Sequence, residues 1–315
     1  MNAAIGVDIG GTKIAAGLVG DDGAILDATH APTPADASDI ARVVVDLVER
    51  LDGEHESDGV GIGAAGFVDA DRATIRFAPN IHWREAPLAA QVRELLDVPV
   101  IVENDANAAA WGEYRFGAGA DVEDLLLVTV GTGIGGGIVH QGRLFRGSYG
   151  FAAEIGHLRL VPDGILCGCG QHGCWEQYAS GRALVREARR HLREADPAAA
   201  GLAALAEGDA DRLTGPMITQ LARDGDELSL ALFAEIGRWL GEGAAMLSAV
   251  LDPRVIAFGG GVADAGDLFL VSAASAFGEH LTAREHRTPA QLRLAELGND
   301  AGLIGAADLV RSEPA

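Results

Sequence analysis

The feature that most constrains this chain is a unit that occurs twice: an apolar strand, a glycine-rich turn and a second extended run. The first copy reads as a strand over 3–9, a turn at Gly10-Gly11-Thr12-Lys13 and a strand over 14–19. The second reads as a strand over 124–130, a turn over 131–137 and an extended segment over 138–145. Recurrence of a strand–turn–strand unit predicts an internally duplicated α/β protein. At 315 residues the chain is longer than one typical domain, so two lobes are expected. No low-complexity linker separates them, and the expectation is two lobes packed around a cleft. Strands are predicted over 59–63, 98–102 and 254–258. Helices are predicted over 37–51, 105–114, 228–251 and 301–310, from apolar residues at helical spacing.

The glycine turns are not the motifs they first suggest. Gly6-x-x-x-x-Gly11 followed by Thr12-Lys13 has Thr and Lys in the wrong order for a P-loop, and an extended segment follows where a helix is required. Gly131-x-Gly133-x-x-Gly136 satisfies the dinucleotide fingerprint literally, but it too leads into a strand. What remains is a pair of hairpin turns whose backbone N–H groups can face phosphate oxygens, with Thr12, Thr132 and Lys13 beside them. Lys13 is the only lysine in the chain. The alternative is that both turns need glycine for positive φ. Gly259-Gly260-Gly261, after a third strand, favours a nucleotide.

Two further segments carry chemistry. Glu103-Asn104-Asp105 lies between a buried strand and a helix. Asp105 or Asn104 at that position either caps the helix, worth roughly 1 kcal/mol, or presents a carboxylate to a substrate hydroxyl; local sequence leaves both open. Glu154-x-x-His157 is followed by Cys167, Cys169 and Cys174, the chain's three cysteines, within eight positions. A Cys3His set suits tetrahedral Zn²⁺ in a closed, structural site. A disulfide would leave one thiol over and require an oxidising compartment.

The net charge of -22 provides no basic field for nucleic acid or anionic lipid, so neither is an expected partner. No apolar run approaches the roughly 20 residues that span a bilayer, and no targeting segment is evident, so a cytoplasmic location is expected.

Together these residues resemble the ROK family of bacterial sugar kinases, within the actin/hexokinase-like (ribonuclease H-like) fold. The likeness covers nearly the whole chain. Residues 7–13 look like the family's first phosphate loop, residues 131–137 like its second, and Glu103-Asn104-Asp105 like its catalytic segment. Residues 154–157 with 167–176 look like its zinc and sugar-binding segment.

The resemblance implies that Asp105 is the general base on a sugar 6-hydroxyl. It implies sugar contacts at Gly66, Asn80, Asn104, Glu154, His157 and Glu176, and zinc on His157, Cys167, Cys169 and Cys174. ATP would lie against Gly10, Gly11, Thr12, Lys13, Thr132, Gly133, Gly260 and Gly261, with Asp8 organising Mg²⁺ through water. Glu176-Gln177-Tyr178-Ala179-Ser180-Gly181 and Asn80-Ile81-His82-Trp83 look most like the family's glucokinases. A kinase for mannose, fructose or an N-acetylhexosamine is the alternative, and a non-catalytic sugar sensor is another. The first loop stands so near Met1 that no DNA-binding helix-turn-helix is expected ahead of it. The resemblance further implies a dimer or tetramer, a smaller lobe over 1–110 plus 299–315, and a larger, zinc-carrying lobe over 111–298.

Overall fold

The computed structural model describes residues 2–52, 57–78 and 83–312. Its strands are β1 (Ala3–Ile9), β2 (Lys13–Gly20), β3 (Ile25–Pro32), β4 (Val60–Ala64), β5 (Phe67–Val68), β6 (Ile75–Ala78) and β7 (Trp83–Ala86). They continue with β8 (Val100–Asn104), β9 (Leu125–Val130), β10 (Ile134–His140), β11 (Arg143–Leu144), β12 (Val255–Gly259) and β13 (Gln291–Leu294). The α-helices are α1 (Ile40–Asp52), α2 (Leu88–Arg93), α3 (Asp105–Phe116), α4 (Glu176–Ala179) and α5 (Gly181–Arg193). After them come α6 (Ala200–Leu205), α7 (Gly215–Arg223), α8 (Glu227–Leu251), α9 (Asp267–His280) and α10 (Ala301–Ser312).

The duplication expected from sequence is present in the topology. One five-stranded sheet runs β3-β2-β1-β4-β8 and the other runs β11-β10-β9-β12-β13. In both, the strand that comes first in the chain sits at the centre. The next two strands extend to one side and the last two to the other. The chain divides into two compact units: Met1–Leu127, Gly136–Ala153 and Ala295–Ala315 form one, Val128–Gly135 and Glu154–Leu294 the other.

In the first unit, β1 is antiparallel to β2 and parallel to β4, which in turn is parallel to β8. The register places Asp8 opposite Gly63 and Gly63 opposite Glu103. Ile5, Val7, Ile62 and Val102 are fully buried and meet Val44 and Leu47 of α1 in one apolar core. Strands covered on both faces read as continuous apolar runs. The glycines of this sheet admit a helix: a Cβ at Gly6 would come 1.9 Å from the Leu303 carbonyl oxygen, and one at Gly61 1.8 Å from that of Ala306. Helix α10 therefore lies directly on the backbones of β1 and β4. In the second unit, α8 packs along α9, and Phe233, Phe258 and Phe269 are fully buried.

The second glycine turn is shorter than its sequence suggests. Gly135, Gly136 and Gly137 belong to β10, and only residues 131–133 form the turn. A Cβ at Gly137 would meet the Ala110 Cβ at 2.4 Å, so this glycine serves close packing against α3.

Replacing Gly61 with Ala is expected to lower stability by roughly 1–3 kcal/mol, because the helix backbone above it must move. Gly278 of α9 has nothing within 4 Å of its would-be Cβ and is exposed. Gly278→Ala is expected to stabilise by up to about 1 kcal/mol through helix propensity. Denaturant unfolding of the two variants checks both signs.

Candidate active site

Asp105 is the first residue of α3, one position beyond the carboxyl end of β8. Asn104 caps that helix, its Oδ1 accepting the Asn107 N–H at 3.0 Å. The capping role is thus taken by Asn104, and the Asp105 carboxylate is free to do something else. Its Oδ1 accepts the Ala106 N–H at 2.9 Å and the Asn104 Nδ2 at 3.0 Å. Asn104 Nδ2 also donates to the Gly66 carbonyl at 3.1 Å, which fixes its amide. Loss of hydration raises the Asp105 carboxyl above its ordinary range, with the Ala106 and Asn104 hydrogen bonds opposing the shift. Asp8, at the end of the neighbouring β1, is pushed up to about 6, chiefly by burial and then by the negative charge of Asp105, with Lys13 opposing. Asp8, Lys13, Gly66, Asn104 and Asp105 therefore belong to one neighbourhood of the first unit.

The first glycine turn is Gly10-Gly11-Thr12 and Lys13 opens β2; Gly11, Thr12 and Lys13 are exposed. It is tied down by Thr33, whose Oγ1 donates to the Gly10 carbonyl at 2.7 Å and whose N–H donates to the Thr12 carbonyl at 3.1 Å. Positive φ does not explain these glycines: among the described residues, left-handed glycines include Gly260 but neither Gly11, Gly131 nor Gly261. A Cβ at Gly11, Gly131 or Gly261 would also touch nothing within 4 Å. Neither backbone conformation nor internal packing requires glycine at these three positions. Bare backbone facing open space is what an approaching phosphate or ribose needs.

Gly131, Thr132 and Gly261 line one cavity of about 940 Å³ in the second unit. Its remaining walls come mostly from α5 and α7, with Leu184 and Val185 of α5 and Phe233 of α8 supplying apolar surface. Arg182, Arg186, Arg189 and Arg193, on one face of α5, line the same cavity. Sequence reasoning missed this wall. Arginines recurring at helical spacing in so acidic a chain were the available signal.

The cysteine segment folds into a cluster. One ligand atom each from His157, Cys167, Cys169 and Cys174 lie within 4.8 Å of one another. The Cys169 and Cys174 sulfurs are 3.6 Å apart, as are Cys167 Sγ and His157 Nδ1. A tetrahedral zinc with ordinary bond lengths separates two sulfurs by about 3.8 Å and a sulfur from a nitrogen by about 3.6 Å. The donor set and its spacing fit zinc. The other ring nitrogen of His157 lies 4.0 Å from Glu154 Oε2.

Glu176 opens α4 and is 8% exposed. Its Oε1 accepts from Cys167 Sγ at 3.1 Å. Its Oε2 occupies space 2.4 Å from where a Cβ of Gly133 would stand. One carboxylate thus touches both the cysteine cluster and the second glycine turn. Asn80 lies outside the described residues.

Residues 4–313 match the ROK family. The chain belongs to that family. It is 48% identical to a glucokinase of Streptomyces coelicolor over 311 residues, covering 99% of this chain and 98% of the relative. Among solved structures, it is similar to a ROK family glucokinase from Streptomyces griseus in complex with glucose and AMPPNP: 50% identity, TM-score 0.88, 98% of this chain and 99% of that one. It is also similar to a ROK hexokinase from Thermus thermophilus, with 36% identity, TM-score 0.81 and coverage of 97% and 96%. The two-lobed actin/hexokinase-like fold expected from sequence is therefore the fold of this ROK protein. Among its described residues, no helix is long and apolar enough to cross a membrane.

Metal analysis of the purified protein is expected to find about one zinc per chain. Cys169→Ser is expected to lower both zinc content and thermal stability. A metal-free protein of unchanged stability would rule the centre out.

Proposed function

We propose that this chain is an ATP-dependent glucokinase, transferring the γ-phosphoryl group of ATP to the 6-hydroxyl of glucose. The observation that carries the kinase reading is the Asp105 carboxylate: released from capping, oriented by Asn104 and raised above its ordinary range by loss of hydration. A base of that kind accepts the hydroxyl proton as the oxygen attacks phosphorus, and ADP leaves. Glucose as acceptor and ATP as donor are supported by the glucokinase relatives and by the glucose–AMPPNP complex.

The remaining roles rest on the resemblance. Asn104, Gly66, Glu154, His157 and Glu176, with Asn80, contact the sugar hydroxyls. Thr12, Lys13, Thr132 and Gly133 hold phosphates, beside Gly10 and Gly11. Gly260 and Gly261 border the adenosine, in keeping with Gly261 and Thr132 lining the same cavity. Mg²⁺ would neutralise charge on the phosphates, with Asp8 ordering its water shell. Zinc on His157, Cys167, Cys169 and Cys174 would do no chemistry. It would fix the loop presenting His157 and Glu176, because a sugar site loosened by about 1 Å loses rate and selectivity. The division into lobes over 1–110 plus 299–315 and 111–298, the cytoplasmic location, the glycolytic role and the homo-oligomer belong to the same reading.

Asp105→Asn is expected to reduce kcat by roughly 10²–10⁴-fold while ATP affinity changes little, measured by coupled ADP release with glucose. Wild-type turnover in that variant would remove Asp105 as the base. The base must be ionised, and its pKa is raised, so kcat/KM for glucose should fall as pH drops. That fall should begin above the ordinary carboxylate range near 4.

A further inference from the structure

The residue before the catalytic pair is a buried charge with no role in the chemistry above. Glu103 is fully buried on β8. Its Oε1 accepts two donors, the Asn104 backbone N–H at 2.8 Å and the Asn107 Nδ2 at 3.1 Å. Its Oε2 lies 3.2 Å from Arg72 Nε and 2.7 Å from Arg146 Nε. Arg146 reaches across from the segment after β11, and its terminal nitrogens donate to the Asp69 and Ala70 carbonyls, both at 2.8 Å. Arg72 holds a left-handed backbone, φ 53°, uncommon for a side chain of its size. Its carbonyl accepts the Val102 N–H at 2.9 Å, on the strand that carries Glu103.

Burying one carboxylate and two guanidinium groups costs hydration, and apolar residues of similar volume commonly serve stability as well or better. What apolar residues cannot do is direct hydrogen bonds. One oxygen of Glu103 is ion-paired to arginines from two separate segments, the 69–72 turn and the stretch after β11. The other holds the Asn104 amide and the Asn107 side chain, and Asn107 in turn is bound by Asn104 Oδ1. That closed ring leaves Asn104 Nδ2 directed at Gly66 and Asp105.

We propose that Glu103 is a positioning residue: held between Arg72 and Arg146, its carboxylate sets the direction in which Asn104 and Asp105 leave β8. The proposal rests on the reading of Asp105 as the base. Arg146 and Arg72 act through Glu103, so the 69–72 turn and the segment after β11 help orient the pair without touching substrate.

The test compares Glu103→Gln, the double variant Glu103→Gln/Arg146→Gln, Arg146→Lys and Asp105→Asn by steady-state kinetics and thermal unfolding. Glu103→Gln alone leaves two buried cations without a counter-charge and should lose both stability and turnover. The double variant keeps the wild-type net charge at the site. It should recover most of the stability while kcat stays about a hundredfold low, with KM for ATP within about twofold of wild type. Recovery of turnover along with stability would show that Glu103 only balances charge, and would overturn the proposal. Should the double variant not fold, Arg146→Lys keeps the cation but loses the forked contact. About tenfold lower kcat at unchanged KM for ATP is expected there, and unchanged kcat would overturn the proposal. Asp105→Asn separates the two readings. Activity in that variant removes the base, whereas an inactive Asp105→Asn beside a fully active double variant removes only the positioning role.

Discussion

The parallel register of β1, β4 and β8 is the constraint on which the first unit's chemistry depends. It brings Asp8 and Glu103 into one row across Gly63, and it places Asn104 and Asp105 one step beyond. Parallel strands can hold such a row only when both faces of the sheet are covered. Here α10 lies so close that no side chain fits at Gly6 or Gly61. The last helix of the chain thus secures the strands whose ends carry the acids. A slip of one residue would turn each of those side chains to the opposite face.

Within that row the carboxylates differ in environment. Glu103 is fully enclosed, accepting two hydrogen bonds on Oε1 and meeting two arginines on Oε2. Asp105 accepts two hydrogen bonds on one oxygen and Asp8 has the Lys13 charge opposing its shift, yet burial lifts both above the ordinary range. A carboxyl group raised by burial accepts a proton more readily, whereas one enclosed by cations and donors is suited to holding structure. The second unit uses a carboxylate differently again. Glu176 lies between the cysteine cluster and the second glycine turn, one oxygen toward each.

Much of this was legible in the residues. The two strand–turn–strand units, the long helix α8, the cysteine cluster and the helix at Asp105 all rest on local patterns. Turn chemistry and ligand spacing act over a few residues and survive in a linear reading. The extent of the second turn was not legible, because Gly135–Gly137 look like turn residues until α3 is seen packed against them. The α5 wall of the cavity, with Arg182, Arg186, Arg189 and Arg193, was also missed, since its face is defined only by what lies opposite.

The amino-acid sequence by itself determined the chemical parts: a carboxylate–amide pair after a buried strand, two glycine turns between strands and a Cys3His donor set. Tertiary structure decided which of Asn104 and Asp105 caps α3. It also decided that Gly11, Gly131 and Gly261 face open space, and that Glu103 is clasped by Arg72 and Arg146. The cap bond spans three residues, but the Gly66 carbonyl that fixes the Asn104 amide and the arginines on Glu103 come from segments farther away in the chain. Burial and register create such contacts, and no local pattern encodes them.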